Sequence, residues 1–108
     1  MRERDIEKYL RDQVKALGGR AYKWVSPGNQ GVPDRLVFLP GGRVIPIELK
    51  APGETPTAQQ LHQHRILQGL GQEVLVIDSM AGVENFIAEA RKNLEQSANI
   101  EGRGGDAR

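Results

Sequence analysis

The chain has no cysteine, which excludes disulfide bridges and thiolate zinc sites and makes a reducing cytoplasm the simplest compartment to expect. It has no excess of either charge. Fifteen basic and 14 acidic residues leave a net charge of +1, so no overall field announces nucleic acid and any basic surface must be local. It has no apolar run approaching a membrane span, and its first residues, MRERDIEKYLRDQ, are charged from the second position and contain no apolar signal core. Neither membrane insertion nor secretion is expected. Aromatic residues are few, at 5%, and Tyr22 and Trp24, two apart on a strand-like segment, are assigned to packing rather than to stacking on bases. What is present, 38% hydrophobic and 27% charged residues in a chain of 108, is the composition of one globular domain with a modest core.

The hydrophobic pattern divides this domain into short elements. Ile6, Leu10, Val14 and Leu17 recur at helical spacing and Gly18-Gly19 stops them, so a first helix is predicted from Glu3 to Leu17. AYKWV (21–25) reads as a strand, whereas SPGNQGVP (26–33) is too dense in Ser, Pro, Gly and Asn for a regular element. DRLVFL and RVIPIELK flank Pro40-Gly41-Gly42, a hairpin signal. APGETPTAQQ is a loop that ends in a helix start, with Thr57 as cap of a helix to Leu70. EVLVID (73–78) is nearly continuously apolar, the pattern of a strand buried on both faces. Ser79 caps a last helix that gathers Val83, Phe86, Ile87 and Ala90 on one face. The order, helix, three strands, helix, strand, helix, predicts an α/β fold in which a mixed sheet is flanked by helices, as a single domain over residues 1–95. From Gln96 the sequence turns polar and glycine-rich without apolar periodicity, and residues 96–108 are expected to form a disordered tail.

Three charged residues sit at the ends of the two hairpin strands. Side chains two apart on a strand share a face, so Glu48 and Lys50 point with Val44 and Pro46, while Ile45, Ile47 and Leu49 supply the opposite, core face. If the turn lies at Pro40-Gly41-Gly42, Leu39 pairs with Arg43, and counting outward sets Asp34 opposite Glu48, with Cβ atoms about 5 Å apart. A bulge in the turn would shift this register by one. Two carboxylates so close repel unless a cation lies between them or one takes a proton. Their hard oxygens suit Mg²⁺ or Mn²⁺, and magnesium takes only one or two carboxylates, leaving its other positions to water and phosphate. On spacing alone, a second reading weighs about as much: Glu48 and Lys50 pair with each other and Asp34 is a turn residue after Pro33.

The run GVPDRLVFL followed by VIPIELKAPGETPTAQQ resembles the core of the virus-type replication-repair nuclease (VRR-NUC) family, a branch of the PD-(D/E)XK nuclease superfamily. Pro33-Asp34 matches the PD element and Glu48-Leu49-Lys50 the ExK element; Gly-Val-Pro-Asp and the Thr-x-x-Gln at Thr57 to Gln60 are closer to the family than to the superfamily at large. The resemblance implies a restriction-endonuclease-like core and a Mg²⁺- or Mn²⁺-dependent DNA endonuclease. It also implies roles for single residues. Asp34 and Glu48 hold the metal together with the backbone carbonyl of Leu49, Lys50 attends the attacking water, and Gln60 positions substrate or a catalytic side chain. Gln59 is the rival to Gln60 if the alignment slips by one. Glu7 is similar to the acidic residue that many relatives carry on the first helix; a solvated glutamate paired with Arg11 is its equal alternative.

Lys23, Ser26, Asn29, Gln30 and Arg35 flank this site and are candidate phosphate contacts, against the simpler reading of solvated loop residues. His62 and His64 stand two apart on a helix and do not face each other, so no metal is assigned to them. The expected partner is DNA selected by shape, such as a four-way junction or other branch, in a bacterial or phage-infected cytoplasm. A homodimer is expected because a junction needs two symmetric cuts; Tyr22, Trp24 and Val25, or Phe86 and Ile87, are the apolar residues available for the contact. The alternatives are a non-catalytic nucleic-acid-binding or assembly module of the same fold, and a scaffold subunit whose acidic patch is only structural.

Overall fold

The computed structural model describes residues 1–104, with side-chain surroundings through Ser97. Helix α1 spans Glu3–Ala16. Its stripe of Ile6, Leu10 and Val14 is fully buried, each side chain worth about 2 kcal/mol of removed apolar surface. Asp5 accepts the Arg2 N–H at 3.0 Å, placing an anion in the first turn where the helix dipole favours it. Strand β1 (Arg20–Lys23), strand β2 (Arg35–Phe38) and strand β3 (Val44–Leu49) follow, then helix α2 (Ala58–Gly69), strand β4 (Leu75–Ile77) and helix α3 (Met80–Gly104).

The four strands form one sheet in the order β1-β2-β3-β4. The first two pairings are antiparallel and β3 runs parallel to β4, so the sheet is mixed, as predicted. Alternation along the strands sorts the side chains. Val37, Ile45, Ile47 and Leu49 join Ile6, Leu10, Val14, Val83, Phe86, Ile87 and Ala90 in the core beneath α1 and α3. Tyr22, Leu36, Phe38, Val44, Pro46 and Glu48 share the other face by register, and α2 approaches that face at its Glu48 end. Caps fall where the sequence places them: Thr57 Oγ1 accepts the Gln60 N–H at 3.2 Å, and Ser79 Oγ accepts the Gly82 N–H at 2.9 Å.

Two expectations are corrected. The segment 73–78 is an edge strand rather than one buried on both faces, and Val76 is exposed although α2 residues meet its register partner Glu48 on the same face. Helix α3 continues past Gln96 to Gly104, where a disordered tail was expected to have begun. The segment Glu95 to Glu101 contains neither proline nor glycine to stop it, so helical propensity carries on after the apolar periodicity has ended. The last four residues of the expected tail, 105–108, lie outside the described residues.

Candidate active site

The hairpin builds the centre of the site. Leu39 N–H donates to the Arg43 carbonyl at 2.8 Å, and the β2–β3 register of Arg35 with Ile47, carried one residue outward, sets Asp34 opposite Glu48 without a bulge. Asp34 is fixed at both ends. Its carbonyl accepts the Trp24 N–H at 2.9 Å, continuing the β1–β2 ladder, and its Oδ2 accepts the Leu49 N–H at 2.8 Å. The carboxylate is thereby drawn across the strand end onto the backbone between Glu48 and Lys50.

Glu48 is completely buried, and helix α2 supplies a partner to each of its oxygens. Gln60 Nε2 donates to Oε2 at 2.9 Å, and His64 Nε2 lies 3.2 Å from Oε1. The amide of Gln60 has one orientation open to it, because its Oε1 accepts the Thr57 N–H at 2.9 Å and completes the capping box. The same turn that starts α2 therefore aims a donor at Glu48. Burial, then the Asp34 carboxylate beside it, pushes the Glu48 carboxyl up to about 8, against a smaller opposing pull from Lys50. Burial also pushes His64 down, toward the neutral imidazole.

Two carboxylates meet here with a lysine nearby, and one of them, Glu48, is raised to about 8 by burial and by the other. The donors are oxygens, as Mg²⁺ and Mn²⁺ require. Among the described residues no three His, Cys, Asp or Glu side chains converge into a cage, and an ion that keeps its waters and takes one or two carboxylates needs none. The residues present fit such an ion.

The flanking candidates separate into those that reach this centre and those that do not. Glu7 lies on the core side of the sheet, where it pairs with Arg35 at 3.2 Å, not with Arg11 and not with the carboxylates; Arg35 also donates to the Ala21 carbonyl. Arg35 is thus committed to joining α1 to the sheet. Lys23 stands beside it in register and is exposed. Ser26 and Asn29 close a turn on each other, with Asn29 Nδ2 donating to Ser26 Oγ at 3.0 Å. Gln30 takes a hydrogen bond from Gln59 at 3.1 Å, which ties the 26–33 loop to the start of α2, so that of the two glutamines Gln59 bonds the loop and Gln60 bonds Glu48. The approach is close enough that a Cβ on Gly31, whose φ is +91°, would stand 2.7 Å from the Gln59 carbonyl.

Two residues near the centre escaped the sequence reading. Glu3, one turn before Glu7, is the α1 acid whose carboxyl is raised first by partial burial and then by Asp34, with Lys50 opposing. His64 was set aside as a zinc partner of His62, yet its spacing of four from Gln60 put it on the same helical face. That spacing was the available signal.

No protein-family model matches the chain. Its sequence is 57% identical over 79 residues to "Putative nuclease p44" of Acyrthosiphon pisum secondary endosymbiont phage 1, a stretch covering 73% of this chain and 85% of that protein. Its fold is similar to a solved structure described as a VRR_NUC domain, with a TM-score of 0.75 and 33% sequence identity over 80% of this chain and 94% of that one. With the PD and ExK residues meeting at one strand end, the chain belongs to the virus-type replication-repair nuclease (VRR-NUC) family.

Proposed function

We propose that this protein is a Mg²⁺- or Mn²⁺-dependent endodeoxyribonuclease of PD-(D/E)XK type that hydrolyses phosphodiester bonds in branched DNA, as a homodimer, in the cytoplasm of a bacterial or phage-infected cell. The observation that carries the reading is the fully buried Glu48 held against Asp34 with Lys50 beside it. Among the described residues Glu48 forms no ion pair with Lys50; its oxygens meet Gln60 and His64 instead. The name of the phage relative supports nuclease chemistry.

Asp34, Glu48 and the Leu49 carbonyl would hold the ion, which when bound acidifies a water and shields the charge growing on phosphorus. Gln60 and Thr57 keep the Glu48 carboxylate in place, so little reorganisation is needed when substrate arrives. Lys50, at the mouth of the strand end, orients the attacking water or takes its proton, and its positive charge favours the phosphorane-like transition state. Exposed Lys23 and the 26–33 loop, tied to α2 by Gln30 and Gln59, offer phosphate contacts that place the backbone without reading bases.

The test is cleavage of labelled junction, flap, duplex and single-stranded DNA in Mg²⁺, Mn²⁺ or EDTA. Metal-stimulated cleavage fastest on branched DNA, lost in Asp34→Ala, Glu48→Ala and Lys50→Ala, is expected. Full activity in Glu48→Ala would end the nuclease reading; metal-independent DNA binding without cleavage would favour the non-catalytic module.

A further inference from the structure

We infer that His64 is a positioning residue for the metal-binding carboxylate, clamping Glu48 Oε1 while Gln60 clamps Oε2. The inference rests on the nuclease reading for what Glu48 does, and on geometry alone for what His64 does. His64 is 4% exposed and lies on α2 one turn after Gln60, so both side chains project from the same face. Gln60 is exposed enough to serve as a cap; His64 is not, and its Nε2 is directed at a carboxylate oxygen 3.2 Å away. An apolar side chain of similar shape would fill the same volume. A buried imidazole whose ring nitrogen meets one oxygen of a completely buried carboxylate has a second consequence. It fixes rotation about the last torsion of Glu48, which a single hydrogen bond from Gln60 leaves free.

The clamp decides which lone pairs remain available. A carboxylate has about four acceptor directions. With one on each oxygen taken by α2, the others are left for a ligand shared with Asp34, the residue beside Glu48. Loss of the clamp lets the carboxylate turn toward His64's empty place and away from its partner. Outer partners of metal ligands of this kind are typically worth 10–100-fold in metal affinity. Packing is retained in His64→Phe and the donor in His64→Gln, so the two variants separate shape from hydrogen bonding.

Calorimetric titration of Mn²⁺ into the purified chain, paired with the Mn²⁺ midpoint for junction cleavage, tests the assignment. His64→Phe is expected to weaken Mn²⁺ binding by about tenfold and to raise the cleavage midpoint in parallel, with the rate at saturating Mn²⁺ recovering to within a few-fold. His64→Gln is expected to restore most of the affinity. Wild-type affinity in His64→Phe overturns the clamp while leaving the nuclease intact, and so does equal loss in both variants, which would mean that the hydrogen bond retained in His64→Gln does not set the affinity. A wild-type chain that binds no Mn²⁺ overturns instead the reading on which the clamp rests. Melting in EDTA checks that each variant is folded; if His64→Phe does not fold, wild-type affinity in folded His64→Ala overturns the clamp and a loss that His64→Gln restores supports it.

Discussion

Gln60 and Glu48, from the first turn of α2 and the end of β3, are joined at 2.9 Å by an amide whose other end caps the helix. One side chain thus starts the helix and seats the carboxylate. Gln60→Ala should lose both, costing about 1 kcal/mol of stability and roughly 10–100-fold in cleavage. Gln59→Ala removes only the bond to Gln30 and should leave the rate within a few-fold. Thermal melts and single-turnover cleavage of the two variants side by side check the distinction; similar losses in both would mean that the loop tether, not the Glu48 contact, is what matters.

The raised Glu48 carboxyl predicts an inverted pH dependence for the metal-free protein. Its pKa is about 8 in the fold against an ordinary 4.5, so between those values the native state holds a proton that the unfolded chain has released. Stability is therefore fully present below pH 4.5 and falls as pH rises through 8, by an amount on the order of a few kcal/mol. Glu48→Gln should flatten this slope and melt higher than the parent at pH 8 in EDTA. Chemical denaturation in EDTA from pH 5 to 9 measures it. A parent that grows more stable across that window would refute the assignment.

Much of this was legible before the fold was known, and the reasons are local. Apolar spacing in α1, the Pro40-Gly41-Gly42 turn and the Thr57 cap each depend on neighbours within a few residues, and the hairpin register followed from the turn, bringing Asp34 to Glu48. Partners of long side chains were not legible. Glu7 had Arg11 one turn away by helical spacing, yet it meets Arg35 from 28 residues away because α1 crosses β2 on the core side. The strand at Leu75–Ile77 read as doubly buried because its composition is apolar, while its edge position depends on which strands pair.

That crossing assigns different roles to two neighbouring cations. Arg35 is largely enclosed, with 13% of its side chain exposed, and is held by Glu7 and the Ala21 carbonyl. Arg35→Ala should therefore lower stability by about 1–3 kcal/mol, since it strands a partly buried carboxylate. Lys23→Ala should leave the melting temperature within a degree or two and weaken DNA binding similarly for all sequences. Each lost phosphate contact should reduce the slope of log affinity against log salt by about 0.9. Anisotropy titrations at several salt concentrations with a labelled junction give the slope; an unchanged slope in Lys23→Ala removes it from the interface.

Oxygen-only ligands fix the expected ion preference. Mg²⁺ and Mn²⁺ should support cleavage, while Ca²⁺, with its larger coordination number and looser geometry, should compete for the site and inhibit. Zn²⁺ should not replace them, since His62 is exposed and does not join His64 at the carboxylates. Cleavage rates across the four ions, with Ca²⁺ titrated against Mn²⁺, decide the matter. Activity with zinc alone would contradict the Asp34 and Glu48 assignment.

The expected homodimer can be confined to one face. Phe86 and Ile87 are 7% and 4% exposed and belong to the core, so the last helix no longer offers the contact. Tyr22 and Phe38 do: they stand 58% and 41% exposed, their rings meet edge to face at 5.8 Å, and they lie on the sheet face away from α1 and α3, with Val25 exposed beyond the strand end. An exposed aromatic pair on an otherwise regular sheet is costly to leave in water, and a two-fold axis through it would cover both copies with the same residues. It would also place two active sites on one assembly, as paired cuts at a four-way junction require. Light scattering at micromolar concentration should give twice the 11.9 kDa chain mass, and Tyr22→Arg with Phe38→Asp should return the monomer. Nicking of single strands should survive in that double variant because neither residue touches Asp34, Glu48 or Lys50, while paired junction cleavage should be lost. A parent already monomeric with junction DNA present would remove the dimer and shift the expected substrate toward flaps.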